Sequence, residues 1–90
     1  MLIEVLDVRC LPDGNVEIII MNSGVSSLDS SKISVTKDGS PLAYGQFTID
    51  KARIEQGSVA TIKVPCTTPG ISKICRYTID RISVSVVCGG

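Results

Sequence analysis

The chain has 90 residues, of which 43% are hydrophobic and only 3% aromatic, and nine basic and nine acidic side chains cancel to a formal net charge of zero. This length supports one domain with one core, and the hydrophobic fraction excludes a disordered tail. A neutral chain with so few aromatic rings offers neither a basic face nor a stacking platform, so we expect no nucleic-acid partner. Trp is absent, so the core must be built from Val, Ile and Leu, and the β-branched residues favour strands.

The first part of the chain predicts an antiparallel hairpin. Residues 2–10 alternate between apolar and polar, a turn-forming composition follows over residues 12–15, and a second strand covers residues 16–21. Ile19 and Met21 fall on the opposite face from the other apolar residues of the second strand, which predicts cover on both of its sides. The inward face of the first strand is predicted to carry Leu6, Val8 and Cys10.

The rest of the chain continues as short strands. The segments are residues 33–36, 41–44, 46–49, 52–54, 59–64, 75–79 and 82–87. Residues 41–44 are predicted to form an edge strand because Pro is admissible there. Residues 50–56 could alternatively form one helical turn, and the last two strands could be one long strand bent near Asp80. About six to eight short strands predict an all-β, immunoglobulin-like β-sandwich with antiparallel strands, and a small closed barrel is the alternative.

The four cysteines predict two disulfides and an oxidising, extracellular environment. The alternatives are buried free thiols in the cytosol, or disulfides inside a hyperthermophilic cell. Cys10 and Cys88 each end an inward-facing set, in the first and last strands, which often run parallel and adjacent in sandwiches. We therefore expect Cys10 to pair with Cys88 and Cys66 to pair with Cys75. Loop entropy assigns about 4.5 kcal/mol to the long bridge and about 2.7 kcal/mol to the short one.

The residue types offer little for catalysis or for a cofactor. The chain has no His, which excludes Ser-His-Asp triads, and we expect neither an enzyme nor a metal or cofactor site. The aspartates are interpreted as turn or solvated strand residues, and the turns at 13–15 and 38–39 are the candidates for calcium. Tyr44 and Phe47 form a possible binding surface for a sugar or a protein partner, although such residues more often cover one end of the core.

One pattern resembles a known family. A strand rich in Ile is followed by Asn22, Ser23 and Gly24, then by Leu28 and Asp29, and later by a strand and an Asp-Gly turn. This pattern is similar to that of the extracellular β-domains of archaeal type IV pilin-like proteins, which include archaellins, adhesive pilins and stator-like archaellum components. It extends loosely over residues 2–65. Any all-β domain could also use Asn and Gly to form such a turn.

The resemblance implies a structural and adhesive role at the cell surface, with other subunits or the surface-layer protein as partners. Members of the superfamily carry an N-terminal hydrophobic helix, so we expect residues 1–90 to be a single β-sandwich domain trimmed of that helix, with Met1 as an introduced start. Alternatively the chain is complete, and the resemblance reflects only features that β-sandwiches share. The alternatives are a stator-like anchor that binds the surface layer, and a free-standing module that binds carbohydrate or calcium. An unpaired edge near residues 41–49 is a possible site for homo-oligomerisation.

Overall fold

The computed structural model describes residues 2–89, so Met1 and Gly90, which belong to the predicted domain, lie outside it. The described residues form ten strands and one short 3-10 helix, Ser30–Lys32. In chain order the strands are β1 (Ile3–Cys10), β2 (Asn15–Asn22), β3 (Leu28–Asp29), β4 (Val35–Lys37), β5 (Ser40–Pro41), β6 (Thr48–Ile49), β7 (Arg53–Ile54), β8 (Val59–Pro65), β9 (Lys73–Ile79) and β10 (Ile82–Cys88).

The strands form two four-stranded antiparallel sheets and a small two-stranded one. The first sheet has the order β1-β2-β8-β6, the second has the order β10-β9-β4-β5, and β3 pairs with β7. The all-β fold of antiparallel sheets is therefore confirmed. This arrangement is compatible with the immunoglobulin-like pattern, in which the first, second, fourth and fifth strands share one sheet, with β1, β2, β6 and β8 in those places.

The core lies between the two large sheets and is aliphatic, as the composition predicts. Alternate residues of β2 and β8 are buried while their neighbours are not, because successive side chains of a strand point to opposite faces. Within residues 2–89, Tyr77 is the one aromatic residue among the largest fully buried side chains. The aliphatic side chains that are completely inaccessible to solvent are Val16, Ile18, Ile20, Ile54, Ile62 and Ile79.

A β-bulge changes the facing of the first strand. The pairing of β1 with β2 shifts between Val5 and Asp7, so one additional residue, Leu6, is accommodated in β1. An extra residue reverses the alternation of faces beyond it. Val5 and Val8 consequently pack against the core, whereas Leu6 is 51% exposed. The prediction that Leu6 faces inward was wrong for this reason.

Several element boundaries also differ from the predicted ones. The strand predicted over residues 33–36 begins at Val35, because residues 30–32 form the 3-10 turn. The strand predicted over residues 41–44 is only Ser40–Pro41, and the segments 46–49 and 52–54 shrink to two paired residues each. No helical turn forms over residues 50–56. In these segments, loop hydrogen bonds take the place of the inter-strand hydrogen bonds of a sheet. The β-propensity of the residues alone does not predict these loop bonds.

Two further alternatives are settled by the pairing. β9 and β10 form a hairpin in which Ile79 pairs with Ile82, so they are two strands and not one bent strand. The tight turn is made by Asp80, whose φ of 57° is tolerated by Asp better than by most residues. β2 is covered on one side only, because Ile19 and Met21 remain half-exposed on the outer face of the first sheet.

Candidate functional site

The two disulfides lie at one end of the sandwich. Cys10 is bonded to Cys88 with their Cα atoms 5.6 Å apart, and Cys66 is bonded to Cys75 with their Cα atoms 5.8 Å apart. This is the pairing that the facing of the strands predicted. The long bridge joins the ends of β1 and β10, which are edge strands of different sheets, and these strands also lie side by side at their beginnings. They therefore run in the same direction along a seam between the two sheets, where no backbone hydrogen bond joins them within residues 2–89.

Close backbone contacts reinforce the disulfide end. The Thr67 amide donates to the Gly14 carbonyl at 2.9 Å, and the Thr67 hydroxyl donates to the Ile71 carbonyl at 3.0 Å. Gly14 has a φ of 89°, and a Cβ atom there would lie 1.9 Å from the Thr67 oxygen. Gly89 approaches the Ile71 carbonyl as closely, with a distance of 2.0 Å for its hypothetical Cβ. Both positions consequently require glycine.

Tyr77 anchors the adjoining corner between β8 and β9. Its side chain is 2% exposed, and its hydroxyl donates a hydrogen bond of 2.6 Å to the Pro65 carbonyl. Burial raises the pKa of the Tyr77 hydroxyl above its ordinary value, and the charge of Asp38 raises it further. Immunoglobulin-like sandwiches hold a tyrosine in a comparable position, between their fifth and sixth strands.

The Asn-Ser-Gly segment acts as a buried connector at the opposite end. Asn22 is 2% exposed, and its Nδ2 donates to the carbonyls of Ser26 and Ile54, each at 2.9 Å. Its Oδ1 accepts a bond from the Gly24 amide at 2.9 Å, which is the predicted turn formed by the Asn side chain. Gly24 does not have a positive φ, so its value lies in the space it leaves beside Asn22. One buried amide thus ties β2 to the following loop and to β7.

Tyr44 and Phe47 line a shallow groove with a volume of about 180 Å³. The loop between them is held by Gln46, whose amide donates to the Ala43 carbonyl at 2.9 Å and whose Oε1 accepts from the Ala43 amide at 2.6 Å. Phe47 packs against the core, but Tyr44 is 88% exposed. The expectation that both rings cover the core was therefore wrong for Tyr44, which presents its face to solvent. The other groove residues are Ser30, Gly45, Thr48 and Ile49.

The aspartate turns engage their own carboxylates. Asp13 accepts from the Asn15 amide at 3.0 Å, and this bond is the main cause that lowers the pKa of its carboxyl. Asp38 bonds to Lys37 and to the Arg76 amide, and these contacts lower its pKa in the same way. Within residues 2–89, no group of three or more Asp, Glu, His and Cys side chains could hold a metal ion. Turn formation accounts for the aspartates that composition marked for calcium.

An exposed apolar pair on the outer face of the second sheet was missed in the sequence. Ile74 and Val87 are directly opposite each other across β9 and β10 and are 49% and 65% exposed. The two-residue spacing of Ser83, Ser85 and Val87 would have predicted that all three lie on the face away from the core. Among the described residues no helix is long and apolar enough to cross a membrane.

No protein-family model matches this chain, and no curated protein is significantly similar to it. The resemblance to pilin-like domains therefore remains a prediction from residues 2–65. What the structure does show is a small all-β domain with two disulfides. Such a combination is typical of oxidising, extracellular environments.

Proposed function

We propose that this chain is a non-enzymatic structural and adhesive domain at the cell surface, of the kind carried by archaeal pilin-like filaments and archaellum-associated proteins. The observation that carries the proposal is the Cys10–Cys88 bridge, which joins the first and last strands of the fold. Its partners would be other subunits or the surface-layer protein, and a stator-like anchor is the variant in which the surface layer is bound.

The position of this bridge suits a domain that bears load. Tension that enters at one terminus and leaves at the other passes from β1 to β10 through the covalent bond. The intervening segment, with a sequence separation of 78 residues, is therefore shielded from extension. Without the bridge, full extension would release about 27 nm of chain at about 3.5 Å per residue. A domain held between a membrane anchor and an external contact benefits from this shielding.

The proposal is tested first by reading the natural gene upstream of the Met1 codon. We expect a charged cleavage site followed by about twenty apolar residues, the length of a helix that crosses a bilayer. A native start at Met1 without such a segment would refute the pilin-like assignment. Binding of the isolated domain to purified surface-layer protein, measured by biolayer interferometry, then distinguishes an anchor from a filament subunit.

A carbohydrate-binding module is the second candidate, and the exposed ring of Tyr44 beside its apolar groove favours it. Aromatic faces pack against the apolar face of sugar rings, and a groove of this size could admit part of a chain, at most one sugar ring at a time. Titration with a panel of oligosaccharides, followed by NMR, should shift the resonances of Tyr44 and Phe47. Tyr44→Ala should abolish the shifts while Tyr44→Phe retains them, and no shift with any sugar would exclude this candidate.

A further inference from the structure

The four edge strands of the two sheets are protected very unequally. An exposed edge presents unpaired N–H and C=O groups, and natural proteins guard it with charges, Pro, bulges or very short strands. β1 carries a bulge and three charged residues, and β5 and β6 have two residues each, with Pro41 in β5. β10 has seven residues in uninterrupted register with β9 and contains no charge, Pro or Gly.

The unpaired groups of β10 can be identified from its neighbours. β9 uses Arg76 and the turn residue Asp80 for hydrogen bonds toward β4 and the loop before it. The alternate residues Cys75, Tyr77 and Ile79 consequently bond toward β10, where their partners are Val86, Val84 and Ile82. The N–H and C=O groups that point away from β9 therefore belong to Ser83, Ser85 and Val87. Of these groups, the Val87 carbonyl already lies 3.4 Å from Cys10 Sγ of β1, and the others have no backbone partner within residues 2–89.

The neighbouring strand β1 lies beside β10 and is bonded to its end by the Cys10–Cys88 disulfide, but it does not pair with this edge. β1 belongs to the other sheet, and within residues 2–89 no backbone hydrogen bond joins it to β10. Val84 and Val86 of β10 and Val5 and Val8 of β1 remain only half-buried along the seam. A strand that added to β10 would gain hydrogen bonds and would also cover these side chains.

We propose that the free edge of β10 pairs with β10 of a second copy of this chain. In an antiparallel pair with its two-fold axis at Ser85, Ser85 would face its own counterpart and Ser83 would face Val87 of the other copy. These three pairs are the hydrogen-bonded kind and would form about four backbone hydrogen bonds, because the Val87 carbonyl of each copy lies against Cys10 Sγ. The two second sheets would then join into one continuous eight-stranded sheet.

The side chains of β10 are self-complementary in this register. On the core side Val84 would face Val86 of the other copy in both directions, and on the outer side the pairs are Ser with Ser and Ser with Val. No charged residues are opposed within the pair. Arg76, the nearest charge on the outer face of β9, would lie three strand spacings, about 14 Å, from its counterpart, which is beyond the screening length in physiological salt.

This pairing concerns an edge other than the one near residues 41–49 that the sequence indicated. There the strands β5 and β6 are too short to template a partner, whereas β10 is long and regular. The pairing is independent of the proposed surface role, because it requires only the isolated domain. If the β10 pairing is refuted, the proposed surface role is therefore unaffected, and the converse also holds.

The test is sedimentation equilibrium of the oxidised domain at protein concentrations up to about 1 mM, where even weak pairs form. We expect the mass to rise from the monomer value of 9.5 kDa toward twice that value. Ser85→Lys should remain monomeric, because it places two lysines opposite each other. Ser40→Lys, on the opposite edge of the same sheet, is the matched control and should dimerise like the wild type.

Two further measurements identify the edge itself. Ser85→Pro removes the outward N–H without adding charge and leaves the bonds to β9 intact, so it should also prevent dimerisation. Amide hydrogen exchange at Ser83, Ser85 and Val87 should slow at least tenfold between dilute and concentrated samples. A mass that stays at the monomer value, or a dimer that persists in both Ser85 variants, would overturn the proposal.

Discussion

The most informative perturbation is removal of the long disulfide by the double substitution of Cys10→Ala with Cys88→Ala. The bridge closes a loop with a sequence separation of 78 residues, so its loss restores about 4.5 kcal/mol of chain entropy to the unfolded state. Removal of the short bridge, Cys66 with Cys75, restores about 2.7 kcal/mol for a separation of nine. The difference of about 1.8 kcal/mol is the quantity to be tested.

The burial of the cysteines partly offsets this difference in stability between the two variants. Cys66 and Cys75 are both buried, with exposures of 6% and 0%, whereas only Cys88 of the long bridge is buried. Replacing two buried sulfurs by Ala leaves a small void that costs about 1 kcal/mol more than replacing one. We therefore expect the long-bridge variant to be the less stable by about 1 kcal/mol, and to lose about half of the stability typical of a domain of this size.

Urea unfolding of the two double variants and the wild type, followed by far-UV circular dichroism, measures these values. With a slope of about 1.5 kcal/mol/M, a loss of about 4.5 kcal/mol moves the midpoint by about 3 M. Hydrogen exchange should also show faster opening of β10 than of β2 in the long-bridge variant, because the disulfide no longer holds the end of β10 against β1. If the short-bridge variant is clearly the less stable, the entropic reasoning is refuted and packing at Cys66 and Cys75 dominates.

Three other predictions concern single side chains. Asn22→Ala should destabilise the domain by about 3 kcal/mol, lowering the melting temperature by about 15 °C, because three hydrogen bonds to backbone groups are lost. Gly14→Ala should cost about 3 kcal/mol or more, since its Cβ would lie 1.9 Å from a carbonyl oxygen, whereas Gly70→Ala, in open space, should cost only about 1 kcal/mol of backbone strain. Above about pH 10 the unfolded state releases the tyrosine proton that Tyr77 retains in the fold, so stability should fall by up to about 1.4 kcal/mol per pH unit, and Tyr77→Phe should flatten this decline.

Each of these has a control and a contrary outcome. Ser23→Ala, at the exposed position next to Asn22, should leave the melting temperature nearly unchanged, and an equal effect of the two substitutions would contradict the connector role. Equal costs for the two glycine substitutions, in chemical denaturation, would show that contact with the Thr67 carbonyl is not limiting. An alkaline decline that is as steep in Tyr77→Phe as in the wild type would assign the titration to other groups.

Local chemistry is enough to predict the long strands and the turns between them. The alternation in β2 and β8 follows from the two-residue period of a strand with one buried face, and it holds because the core is aliphatic throughout. The same alternation predicts inward positions for Cys10 and Cys88, from which their pairing follows once a sandwich is assumed. The pairing is observed, although Cys10 itself is exposed. The turn at Asn22 is likewise a local property of the Asn side chain.

Other features depend on contacts between residues that are distant in the chain. Leu6 faces solvent because a bulge is accommodated where β1 pairs with β2. The exposure of Tyr44 depends on the conformation of the loop that connects it to Phe47. β10 is an edge strand because β1 joins the other sheet, and no pattern within residues 82–88 predicts that arrangement. Alternation specifies the two faces of a strand, but the neighbour on each of its edges is determined by how the whole chain packs.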